Sequence, residues 1–133
     1  MALMVPNVGE QKLLDNALQV TTPEALTLKL YTNNFDCIET SVHTDFTECA
    51  IAGYAAKSLA RASWGAAVGG APSSSTFGTA QTFNFTGTGN VVGYYVVGAT
   101  SGILYWAERL YATTGQTFNN GDSLTITPKL TLE

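Results

Sequence analysis

The side chains best suited to chemistry crowd one short stretch: Cys37, Glu39, His43, Asp45, Glu48 and Cys49. A thiol and an imidazole make a nucleophile–base pair when a third group orients the ring. The same set offers both soft and hard ligands to a metal. Neither chemistry finds its spacing here. Zinc sites carry paired ligands such as C-x-x-C or H-x-x-x-H, and calcium loops carry D-x-D-x-D-G; this stretch has neither. His43 is the only histidine. The stretch therefore reads as a solvated acidic connection with two small thiols, since free cysteine is normally a buried hydrophobe. A Cys37–Cys49 disulfide is the alternative; without an export signal, free thiols are the expectation. A glycosidase pair of carboxylates is set by distance in space, and nothing singles one out. Gly65, Gly69 and Gly70 do not follow a strand and open a helix, so they are loop residues and not a phosphate cradle. No catalytic residue, metal or cofactor is expected.

Aromatic side chains are the other candidates. Tyr31, Tyr54, Trp64, Tyr94, Tyr95, Tyr105, Trp106 and Tyr111 have the right chemistry for stacking on sugars. On a strand, however, Tyr94 and Tyr95 point to opposite faces, as do Tyr105 and Trp106. At least half of them must serve a core or a subunit contact, where Trp and Tyr are equally at home. Trp64, beside a Gly/Ala-rich stretch, is the candidate for an exposed, partner-binding aromatic.

The elements that position these residues follow from pattern. Asn7 is a candidate N-cap with Glu10 in capping-box register. Leu13, Leu14, Ala17 and Leu18 fall on one helical face, which predicts a helix over about 8–20, stopped by Thr21-Thr22-Pro23. After Pro23 the period becomes two: Leu26, Leu28 and Leu30 alternate with Thr27, Lys29 and Tyr31. Further strands are predicted over 46–54, 59–64 and 82–86. Residues 65–80 are Gly, Ala, Ser, Thr and Pro with few apolar side chains, and read as a long surface loop. Residues 91–97 are apolar on both faces, as a central strand is. Ile103–Leu110 returns antiparallel after a short Gly-containing loop, and 87–90 and 119–122 read as turns. A final strand carries Leu124, Ile126, Pro128, Leu130 and Leu132 on one face; Pro128 makes it an edge or a bulge. The fold class is mostly β: one antiparallel β-sandwich or jelly-roll-like domain over 7–133 with a short N-terminal helix. A closed barrel is the second choice. Leu3, Met4, Val5 and Pro6 precede the helix and are apolar, so residues 1–6 are expected to be an arm outside the domain that contacts a partner.

Composition restricts the function classes. The chain has 133 residues, enough for one hydrophobic core. Charged residues make up 12 %, about half the usual share, and hydrophobic ones 45 %. The net charge is −4 and the six Lys and Arg are scattered, which argues against nucleic acid. No apolar run is long enough to cross a membrane as a helix. The N-terminus lacks the basic start and long apolar core of a signal peptide. A neutral, Thr- and Ser-rich β protein of this kind suits extensive contacts within an assembly, with no active site of its own.

Several short segments carry a resemblance. They are Val5-Pro-Asn-Val-Gly-Glu10, Leu26-Thr-Leu-Lys-Leu-Tyr-Thr-Asn-Asn34, Phe46-Thr-Glu48, Gly53-Tyr-Ala-Ala-Lys-Ser-Leu59, Gly93-Tyr-Tyr-Val96, Tyr105-Trp-Ala-Glu108 and Gly121-Asp-Ser-Leu-Thr-Ile-Thr-Pro128. Together the chain resembles small structural proteins of tailed bacteriophages, similar to head decoration (cement) proteins, with 65–80 least covered. The resemblance implies a homotrimer on the outer capsid that stabilises the major capsid protein lattice. It places the protein in the virion, and in the host cytoplasm during assembly. A tail or fibre component binding host glycans is the alternative, and a small hydrolase the third.

Overall fold

The computed structural model describes residues 3–18 and 20–132. Met1 and Ala2 of the expected arm, Gln19 and Glu133 lie outside them. The chain is mostly β with one N-terminal helix and several antiparallel sheets. Helix α1 spans Asn7–Ala17. The strands are β1 Leu26–Tyr31, β2 Lys57–Leu59, β3 Ser73–Thr76, β4 Gln81–Asn84, β5 Gly89–Val91, β6 Gly93–Gly98, β7 Leu104–Arg109, β8 Gln116–Phe118, β9 Ser123–Ile126 and β10 Lys129–Leu132.

A four-stranded sheet in the order β2-β1-β6-β7 is the frame. Its register puts Leu28 beside Val96 and Val96 beside Trp106, with Leu30 beside Tyr94 in the next row. Side chains directly opposite share a face, so these residues line one side. Three two-stranded ribbons, β4-β9, β5-β8 and β3-β10, supply Phe83, Phe118, Ile126 and Leu130 to the same core. On the other side Tyr31, Tyr95, Val97 and Ala107 are covered by Phe35, Phe46 and Val8. Phe46 stacks on Tyr95 at 4.9 Å and meets Tyr31 edge-on at 5.0 Å. Burial on both sides explains why β6 is apolar throughout.

Helix α1 differs from its sequence pattern in two ways. Its N-cap is Pro6, with φ −75° and ψ 162°, and no side chain caps it. Pro6 O accepts from Gly9 N and Glu10 N at 2.8 and 3.0 Å. The Asn7–Glu10 capping box does not form, because the helix is capped one residue earlier, at Pro6, and Asn7 N donates instead to Glu39 O at 2.8 Å. The helix is also rotated from the expected face. Gly9 is buried against β7, where an added Cβ would lie 2.3 Å from Tyr105 O. Asn16 Nδ2 donates to Tyr105 Oη at 3.1 Å. Gly9, Leu13 and Asn16 therefore face inward, while Leu14 and Leu18 point out at 63 % and 73 % exposure.

Several strands depart from expectation. Residues 46–54 form no strand; only Glu48 bridges Tyr31, while Phe46, Cys49 and Ile51 fill the core. The predicted strand over 59–64 is the end of β2 followed by a 3-10 turn, Arg61–Ser63. The 65–80 stretch is no free loop: Ser73–Thr76 pairs with β10, Val68 bridges Ser74, and Phe77 is buried. The 87–90 turn gives way at Gly89 to β5, which pairs with β8. The last strand breaks at Pro128, which has no N–H; before it β9 pairs with β4, and after it β10 pairs with β3. Pro128 O instead accepts from Phe77 N at 2.8 Å.

Candidate functional site

The Cys/His stretch is held by structure-building contacts. Arg109, nearly buried at the end of β7, donates to Asp36 at 2.5 Å and to Asn34 at 2.7 Å. Tyr31 donates to Phe35 O. Cys49 packs in the core on the ribbon side and Cys37 beside the cluster around Phe46, and both thiols are free. Burial pushes both thiols up, away from the reactive thiolate. His43 is exposed on a 3-10 turn, His43–Asp45. Asp45 accepts from Val42 N, and Glu48 from Lys29 and Tyr54. No group of three metal-ligating side chains comes together among the described residues.

The expected arm is part of the domain as far as it is described. Met4 pairs with Ala107 on the outer edge of β7, with N···O distances of 2.9 and 3.0 Å. Leu3 and Val5 pack against the core, and Pro6 is buried. Residues 3–6 thus cover a strand edge that would otherwise offer unpaired backbone groups. Met4's strand partner lies about a hundred residues away in sequence, so the expectation of a free docking arm is corrected.

Trp64 is half-buried and not an exposed platform: it meets Phe77 edge-on at 5.3 Å and Trp106 at 5.8 Å. It does line a half-open cavity of about 260 Å³. The cavity lies between α1, the segment entering β1, the Arg61 turn, the β3-β10 ribbon and β7. Leu13, Pro23, Leu26, Leu130, Tyr105 and Trp106 form its apolar body. Its polar rim is Asn16, Glu24, Arg61 and Ser75. Asn16 Oδ1 accepts from Thr21 Oγ1 at 3.0 Å. Glu24 takes Thr100 N at 2.6 Å, Ser101 N at 2.9 Å and Ser101 Oγ at 2.6 Å. Burial pushes the Glu24 carboxyl up, but the Ser101 and Thr100 hydrogen bonds and the Lys12 charge outweigh it and leave it below its ordinary value. Ser75 gives its hydroxyl hydrogen to Gly65 O. The Arg61 guanidinium makes no hydrogen bond or ion pair among the described residues. The Trp106 indole N–H is buried without a hydrogen-bond partner among the described residues. Sequence pattern named Trp64, Tyr105 and Trp106 of this set as candidate aromatics, with Trp64 as the partner-binding one; it could not join them to the other walls, which come from distant segments.

The chain matches no protein-family model, no curated protein and no solved structure.

Proposed function

We propose that this chain is a structural protein of tailed-phage particles, of the decoration type. It binds the outer surface of the assembled head as a homotrimer and stabilises the major capsid protein lattice. The observation that carries the reading is the outer face of α1. Leu14 and Leu18, one helical turn apart, are 63 % and 73 % exposed, with Val20 beyond them at 70 %. Those positions are free because Gly9 and Asn16 set the helix rotation, so the sheet does not need them. In a chain with only 12 % charged residues, such a row is suited to burial against a partner. The resemblance to phage structural proteins supplies the partner's identity.

A ligand of this kind works by mass action. Binding the assembled lattice and not the free subunits stabilises the lattice by about 2.7 kcal/mol per site at a hundred times the dissociation constant. Many sites then add over a shell. The glycan-binding alternative is less well served, since sugar recognition needs acceptors as well as donors; Asn16 and Glu24 at the aromatic cavity are already engaged, which leaves the Ser75 hydroxyl oxygen as the rim's open acceptor. Antibody labelling of purified particles under the electron microscope tests the reading. Label over the head surface is expected; label on the tail or fibres, or on no particle, would refute it.

A further inference from the structure

The cavity beside Trp64 has a one-sided chemistry. Its carboxylate and amide acceptors, on Glu24 and Asn16, are engaged by Thr100, Ser101 and Thr21. The donors are not. Tyr105 Oη accepts from Asn16 and keeps its own hydrogen free. The Trp64 indole N–H and the Arg61 guanidinium have no partner among the described residues. An occupant must therefore bring an apolar body and an acceptor, and the cationic Arg61 favours an anionic one. Glu24 is ionised nearby, so the anion must lie on the Arg61 side. Size narrows the source. At about 260 Å³ the cavity falls below the roughly 300–1,000 Å³ usual for small-molecule sites. It suits one inserted side chain, as an interface anchor does in a desolvated pocket.

We propose that this cavity receives one apolar side chain of a partner protein, with a carboxylate of the adjacent residue held by Arg61. The proposal rests on the assembly reading only in expecting a protein as partner. Because binding would be to a peptide in solution, the test is independent of any particle.

The chain's two tryptophans, Trp64 and Trp106, both line the cavity, so its tryptophan emission reports on this site alone. The experiment titrates the full chain with acetyl-Gly-Leu-Glu-Gly-amide and with the reversed Glu-Leu order. The controls are the Gln-for-Glu peptides, the free acid 4-methylpentanoate, and the exposed-site variant Arg61→Gln. A saturable emission change is expected for at least one acidic peptide. It should weaken about tenfold with the Gln peptide, and by a similar factor in Arg61→Gln, on loss of the charge-assisted hydrogen bond. No saturable change up to about 10 mM peptide overturns the proposal. So does equal binding of the Glu and Gln peptides, which needs no variant to be seen. Equal binding of the free acid also overturns it, by making the cavity a small-molecule site. Failure here would leave the particle-labelling result untouched, and the reverse holds as well.

Discussion

Glu24 joins the chain entering β1 to the Thr100–Ser101 turn between β6 and β7 through three hydrogen bonds. Its carboxyl is held below the ordinary 4.5 in the fold. A depressed folded value means that its contribution is full above the unfolded value and is lost as pH falls through the folded one. Glu24→Gln should therefore lower stability by about 1 kcal/mol at neutral pH. It should also flatten the loss of stability between about pH 5 and pH 3. Urea denaturation of both proteins across that range checks both effects. Arg109 does a similar job on the other side of the sheet, tying Asn34 and Asp36 to β7. Asp36 is 63 % exposed, so it is resolvated when the pair is broken. Arg109→Met should cost about 1–3 kcal/mol, less than a fully buried pair would. It should also free the 34–37 segment, so Cys37 should react faster with a thiol reagent while Cys49 stays slow.

Gly9 shows how one residue orients a whole element. An added Cβ would fall 2.3 Å from Tyr105 O and 2.9 Å from Leu104 O, both backbone atoms that cannot swing away. Gly9→Ala should destabilise the fold by about 1–3 kcal/mol as an overpacking change, although Ala is favoured over Gly in a helix by about 1 kcal/mol. Thermal unfolding decides the sign. The same contact explains why the helix was legible in sequence but its buried face was not. Periodicity located Leu13, Leu14 and Leu18, but a close backbone approach at Gly9 chose which of them turned inward. Strands β1, β6 and β7 were legible because each carries its own apolar pattern. Strands β3 and β8, Ser-Ser-Ser-Thr and Gln-Thr-Phe, were not, since their place is set by β10 and β5. The edge pairing of Met4 with Ala107 was hidden for a related reason: an isolated bridge has no local signature. The cavity was hidden most of all, as Leu13, Glu24, Arg61, Ser75 and Leu130 meet there from five separate segments.

At the scale of the molecule, the described surface combines few charges with exposed Leu14, Leu18 and Val20 on one helix end. The homotrimer is tested apart from this surface: sedimentation velocity at micromolar concentration should show a trimer, and a single monomer boundary would remove the homotrimer from the account. Leu14→Glu with Leu18→Glu places charge where neither side chain supports the core, so folded stability should change by no more than about 0.5 kcal/mol per site. The measurement that bears most directly on the central claim is binding of the purified protein to heads stripped of it. It is followed by co-sedimentation and electron microscopy, with the double variant alongside. The account predicts that the wild-type chain returns to the head surface and saturates it, while the folded double variant stays in solution. A variant that decorates as tightly as the wild type, or a wild type that never binds the head, would contradict it.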